Sequence, residues 1–80
     1  MAKLLLFAQA REAAGTGHVE ASISELEQLT AWCADRFGAQ FLDILAMCSI
    51  WINGDPATFG RTTPIAATDE IAILPPVSGG

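Results

Sequence analysis

The chain has 80 residues, 51% of them apolar and 16% charged, with a formal net charge of −5. That length holds one domain with one modest core, and the composition is that of a globular chain, not a disordered one. No apolar run approaches the ~20 residues that span a bilayer, and Lys3, Arg11, Arg36 and Arg61 are too few to neutralise a phosphate backbone, so neither membrane nor nucleic acid is expected as a partner.

Residues 3–8 form an almost continuous apolar run, which fits a strand buried on both faces, inside the domain or against a partner. The run is too short for a secretion signal and meets Arg11-Glu12 without a cleavage site, so the chain reads as cytoplasmic. Residues 9–17 hold Gly15 and Gly17 and read as a turn, with His18 solvated beside it. Residues 18–23 alternate weakly as a second strand. Ser24-Glu25-Leu26-Glu27 has the spacing of a capping box, in which the Ser24 hydroxyl accepts from the Glu27 amide and Glu27 reaches back to the Ser24 amide. Leu26, Leu29, Cys33 and Phe37 follow at helical spacing and Gly38 takes the C-cap, which predicts a helix over 24–37. Residues 40–48 predict a short helical stretch over one end of the core. Ser49–Ile52 alternates as a strand, and Asn53-Gly54 predicts a type I′ hairpin with a return strand near Ala57-Thr58-Phe59. Residues 60–68 read as loop. Glu70–Leu74 is the last strand, stopped by Pro75-Pro76.

The order is two strands, one long helix, two strands and a last strand. It predicts an α+β chain, a mixed sheet of about five strands with the helix across one face. The apolar first and last strands are the natural central neighbours. That arrangement is the ubiquitin-like β-grasp, with residues 1–74 as the domain and 75–80 as an extended tail. Cys33 and Cys48 are expected to be buried thiols, and without a Cys-x-x-Cys pair no metal site is expected. No carboxylate pair, Ser-His-Asp order or phosphate-binding glycine loop is present, so no active site of its own and no bound cofactor are expected.

The chemistry is expected in the tail, Pro75-Pro76-Val77-Ser78-Gly79-Gly80. Pro75-Pro76 breaks the strand and favours extended polyproline geometry. Six extended residues reach roughly 20 Å. Gly79 and Gly80 lack side chains, so they can enter a tunnel too narrow for other residues. Read as the chain's end, Gly80 presents a carboxylate, a poor electrophile until adenylation by ATP activates it.

The residues resemble the sulfur-carrying small subunit of molybdopterin synthase. The segment from Leu6-Phe7-Ala8-Gln9-Ala10-Arg11-Glu12 to Gly15 is similar to that family's opening, Ile52-Asn53-Gly54-Asp55 to its hairpin, and residues 69–80 to its C-terminal signature. The helix matches by pattern alone. Thr68 stands where the family usually has Gly, which implies a different turn into the last strand, and the 55–64 loop is long. The resemblance implies the following chemistry. An ubiquitin-activating-type adenylyltransferase, using ATP and Mg, adenylates Gly80. A sulfurtransferase persulfide replaces AMP and leaves a thiocarboxylate. The tail then enters the large synthase subunit, in a heterotetramer, and gives sulfur to cyclic pyranopterin monophosphate. It also implies a partner-binding set of Phe7, Arg11, Leu74, Pro75, Pro76, Val77 and Ser78, with Gly79 as the slim tip. Three alternatives stay open: a sulfur carrier for another pathway such as thiamine synthesis, a ubiquitin-like protein modifier, and a β-grasp interaction domain with an inert tail.

Overall fold

Alternation along five strands builds the sheet. In the computed structural model, which describes residues 1–57 and 62–76, β1 (Ala2–Leu6) buries Ala2, Leu4 and Leu6. β5 (Glu70–Leu74) buries Ile71 and Ile73 on the same side. β2 (His18–Ala21), β3 (Ser49–Ile52) and β4 (Asp55–Ala57) complete a five-stranded sheet in the order β2-β1-β5-β3-β4. β1 and β5 run parallel at its centre, from Lys3 beside Glu70 to Leu6 beside Ile73, and the other neighbours are antiparallel. The expected central pairing of first and last strands is observed. Thr58 and Phe59 of the expected return strand lie outside the described residues.

The helices pack over the inner face. Leu26, Leu29, Cys33, Phe41 and Leu45 join the strand residues in one buried cluster, with the rings of Phe37 and Phe41 4.9 Å apart at its rim. The expected stripe of Leu26, Leu29 and Cys33 is therefore the core face, but its helix is not continuous from 24 to 37. A 3-10 turn at Leu26–Gln28 precedes α2 (Leu29–Phe37). The capping box is also one residue later than expected, between Glu25 and Gln28. The cause is tertiary. The Ser24 carbonyl accepts from the Ile65 amide at 2.8 Å and the Leu26 amide donates to the Thr63 carbonyl at 2.9 Å, so Glu25 stays extended in a bridge to Pro64. Gln28 Oε1 then accepts from the Ser24 amide at 2.7 Å, while Glu27 accepts from the Thr63 amide at 3.4 Å. α3 (Phe41–Leu45) is the expected short helix.

The expected turn over 9–17 is instead mostly a helix, α1 (Ala8–Ala14), closed by Gly15 in the left-handed region at φ 76°. Its residues are strong helix formers, but Ala10 alone is buried, so no apolar period marks it. Gly15 is its cap and not the middle of a turn. His18 opens β2 as an exposed residue, and its carbonyl accepts from the Thr16 hydroxyl at 2.8 Å. Thr68 needs no positive φ. The Ala66 amide donates to Asp69 Oδ2 at 2.7 Å and the Asp69 amide to the Ala66 carbonyl at 3.0 Å, a closed turn that any residue can occupy at 68.

Candidate functional site

The face of the sheet turned away from the helices carries the site. Pleating puts Lys3, Leu5 and Phe7 opposite Leu4 and Leu6, and Glu70, Ala72 and Leu74 opposite Ile71 and Ile73. Phe7 continues the line of β1: its backbone is extended and its amide donates to the Ile73 carbonyl at 3.3 Å. Beyond it the chain reverses at Ala8, whose φ of 50° lies in the left-handed region that L-residues avoid. That reversal sends α1 back over the core and leaves the Phe7 ring outside, 44% exposed. Phe7 and Leu74, expected on a docking face, are thus brought side by side.

Registers across the sheet lay out two zones. His18, Leu5, Ala72, Trp51 and Pro56 form one row over all five strands. Leu5, Ala72, Trp51 and Pro56 of this row, with Phe7 and Leu74, make an apolar half. The next row, Glu20, Lys3 and Glu70, is charged, with the Lys3 ammonium 3.9 Å from the Glu70 carboxylate. Both side chains are about half exposed, so this ion pair adds little to stability. Leu5, Phe7, Trp51, Gly54, Glu70, Ala72 and Leu74 line a depression of about 360 Å³. A second cleft lies beside it, sharing Leu5 and lined also by Lys3, Arg11, Glu12, Thr16 and His18. Arg11 stands on α1 at this border, its side chain over Gly17, where a Cβ would come 3.2 Å from Nε. It borders the apolar half through the second cleft.

Two members of the face went unnoticed at the level of sequence. Trp51, 37% exposed, was signalled by alternation, since it faces away from the buried Ile50. Asn53 does more than make the hairpin turn. Besides φ 51°, its Nδ2 donates to Asp69 Oδ1 at 2.9 Å and its Oδ1 accepts from the Glu70 amide at 2.9 Å, which ties the hairpin to the start of β5. Hydrogen bonds from the Ala66 amide and from Asn53 hold the Asp69 carboxyl below its ordinary pKa.

Pro75, half-buried, and Pro76, exposed, follow β5 directly. Val77, Ser78, Gly79 and Gly80 lie outside the described residues. Both thiols are free. Cys33 is buried, and burial pushes its pKa up to about 12; half-buried Cys48 is raised for the same reason and its Sγ donates to the Ile44 carbonyl at 3.1 Å. Neither has the thiolate character of a nucleophile. Among the described residues no cluster of His, Cys, Asp and Glu could hold a metal, and no helix is long and apolar enough to cross a membrane.

A five-stranded sheet of this order with helices on one side and a half-apolar opposite side defines a ubiquitin-like β-grasp protein. The chain belongs to the ThiS family, whose model matches residues 4–80. Among solved structures it is similar to small archaeal modifier protein 1 from Methanosarcina acetivorans, at 33% identity and TM-score 0.81, covering 99% of this chain and 95% of that one. The same protein from Haloferax volcanii is 27% identical with TM-score 0.80, covering 99% and 98%. A chain of the complex of subunits 1 and 2 of molybdopterin-converting factor from Helicobacter pylori 26695 is 24% identical with TM-score 0.74, covering 99% and 97%, and shows the shared fold. No curated protein sequence matches the chain.

Proposed function

We propose that the chain is the sulfur-carrying small subunit of a molybdopterin synthase, with Gly80 as its reacting residue. The observation that carries this reading is the outer face, where Phe7 and Leu74 sit at the end of the sheet from which Pro75-Pro76 leads off. A partner seated on that face is within reach of a tail of residues 75–80. The Gly80 carboxylate attacks the α-phosphorus of MgATP on an adenylyltransferase and releases pyrophosphate. The terminal sulfur of a sulfurtransferase persulfide then attacks the acyl carbon and expels AMP. Reduction of the resulting acyl disulfide by a thiol frees the thiocarboxylate. Splitting one hard substitution into two easier ones is the gain of covalent activation. In the large subunit the tail holds sulfur beside the pterin at high effective concentration. In this reading the steps run in the cytoplasm, and ATP and Mg are bound by the adenylyltransferase. Gly79 keeps the tip slim, while Val77 and Ser78 belong to the partner-binding segment behind it.

A second reading has its own support, because the small archaeal modifier proteins are more similar in sequence than the converting-factor chain. In that reading the activated Gly80 is passed to an amine of a target protein. Intact mass measurement of the chain from its native cell tests both. Exchange of one oxygen for sulfur at the C-terminus supports the carrier, and an isopeptide-linked adduct supports the modifier. An unchanged carboxylate under conditions of active cofactor synthesis overturns the first.

A further inference from the structure

Ala72 occupies the centre of the outer face. It lies on β5, hydrogen-bonded on one side to β1 and on the other to β3, and is in register with Leu5 and Trp51. A methyl group between two large side chains leaves a hole, and the depression of about 360 Å³ is that hole. Leu5 and Trp51 wall it laterally, Phe7 and Leu74 close the end toward the tail, and Glu70 stands at the opposite end. Gly54 borders it on the hairpin side, which is open space. The backbone around the hole is the sheet's middle, its most constrained part, so the hole is preformed.

We infer that the hole above Ala72 receives one bulky apolar side chain of the partner protein, flanked by a basic residue that meets Glu70. The inference rests on the proposed carrier reading and adds where its binding energy is concentrated and by what chemistry. Interfaces draw most of their affinity from a few anchors seated in desolvated pockets, with aromatic walls favoured. A preformed hole with two aromatic walls fits that role, whereas a flat apolar face would spread the contact. Charge decides the flank. Glu70 is the charged residue of the lining, its pairing with Lys3 is loose at 3.9 Å, and the chain carries −5 overall. A cation beside the anchor is attracted over a distance and fixes register on arrival.

Filling the hole tests this. Ala72→Leu and Ala72→Phe place larger groups between Leu5 and Trp51, where strand preference favours them, so their melting curves should match or exceed that of the parent. Calorimetric titration with the large synthase subunit from the same organism should show binding weakened roughly 30-fold or more. Trp51→Ala, which removes a wall, should weaken it about tenfold, and Glu70→Gln should flatten its salt dependence. Folded Ala72→Phe protein that binds within about twofold of the parent overturns the inference and leaves the carrier reading intact. If Ala72→Phe melts early, Ala72→Leu and Trp51→Ala decide by the same criterion. A parent chain that does not bind the large subunit refutes the carrier reading; the same variants are then scored for binding to the activating adenylyltransferase, and parent binding to neither partner overturns the inference too.

Discussion

Replacing Asn53 by Ala removes three things at once. At φ 51° Asn tolerates the left-handed region and Ala does not, a difference of about 1 kcal/mol. The bond from Nδ2 to Asp69 Oδ1 and the bond from the Glu70 amide to Oδ1, both 2.9 Å, are also lost. Each exposed bond is worth about 0.5–1 kcal/mol net. The sum is about 2–3 kcal/mol, or roughly 10–20 °C in melting temperature for a domain of this size. Thermal and urea melts of Asn53→Ala and Asn53→Gly separate the parts, because Gly keeps the backbone angle and loses only the side-chain bonds. Acid melts provide a second readout. The Asp69 pKa is depressed in the fold, first by the Ala66 amide and then by Asn53, so its contribution is present above 3.8 and is lost as pH falls through the lower folded value. Asn53→Ala should weaken that acid sensitivity. An Asn53→Ala protein within about 0.5 kcal/mol of the parent, with unaltered acid melts, refutes the clasp.

Phe7→Asp should stay folded by circular dichroism and lose binding to the large synthase subunit, because the ring lies outside the core; an unfolded variant would refute the docking role. Gly79→Val, or deletion of Gly80, should stop sulfur delivery while stability changes by less than about 0.5 kcal/mol, as followed by product formation with purified partners and a melting curve. Cys33→Ser together with Cys48→Ser should leave sulfur delivery intact and cost about 1–3 kcal/mol, chiefly from a hydroxyl at the fully buried position 33. Loss of delivery in a folded double variant would move the sulfur off the tail.

The strands were legible because their signal is local: alternation at Ser49–Ile52, the Asn53-Gly54 turn and the proline stop after Leu74 act within a few residues. The elements that differ are those decided elsewhere. α1 carries helix-forming residues without an apolar stripe, and only its packing near α3 and the sheet centre selects helix over turn. The capping box shifted because residues 63–65 hold Glu25 extended, a contact that spacing near Ser24 cannot announce. For the docking face the sequence supplied Phe7, Arg11 and Leu74 through resemblance. Trp51 is signalled by alternation, but Ala72 acquires meaning only from register, which sets it between Leu5 and Trp51 across three strands.

β5 joins two halves that otherwise do not touch in the sheet: β2-β1 on one side and β3-β4 on the other. A growing chain that has not reached Glu70 therefore holds two separate two-stranded pairs, each marginal alone in water. Its sheet centre must wait for pairing of residues 70–73 with residues 3–6, a closure of long sequence separation that slows folding. A chain truncated before Glu70 lacks the strand that joins the halves, so the segment that leads into the tail is also the one that completes the domain.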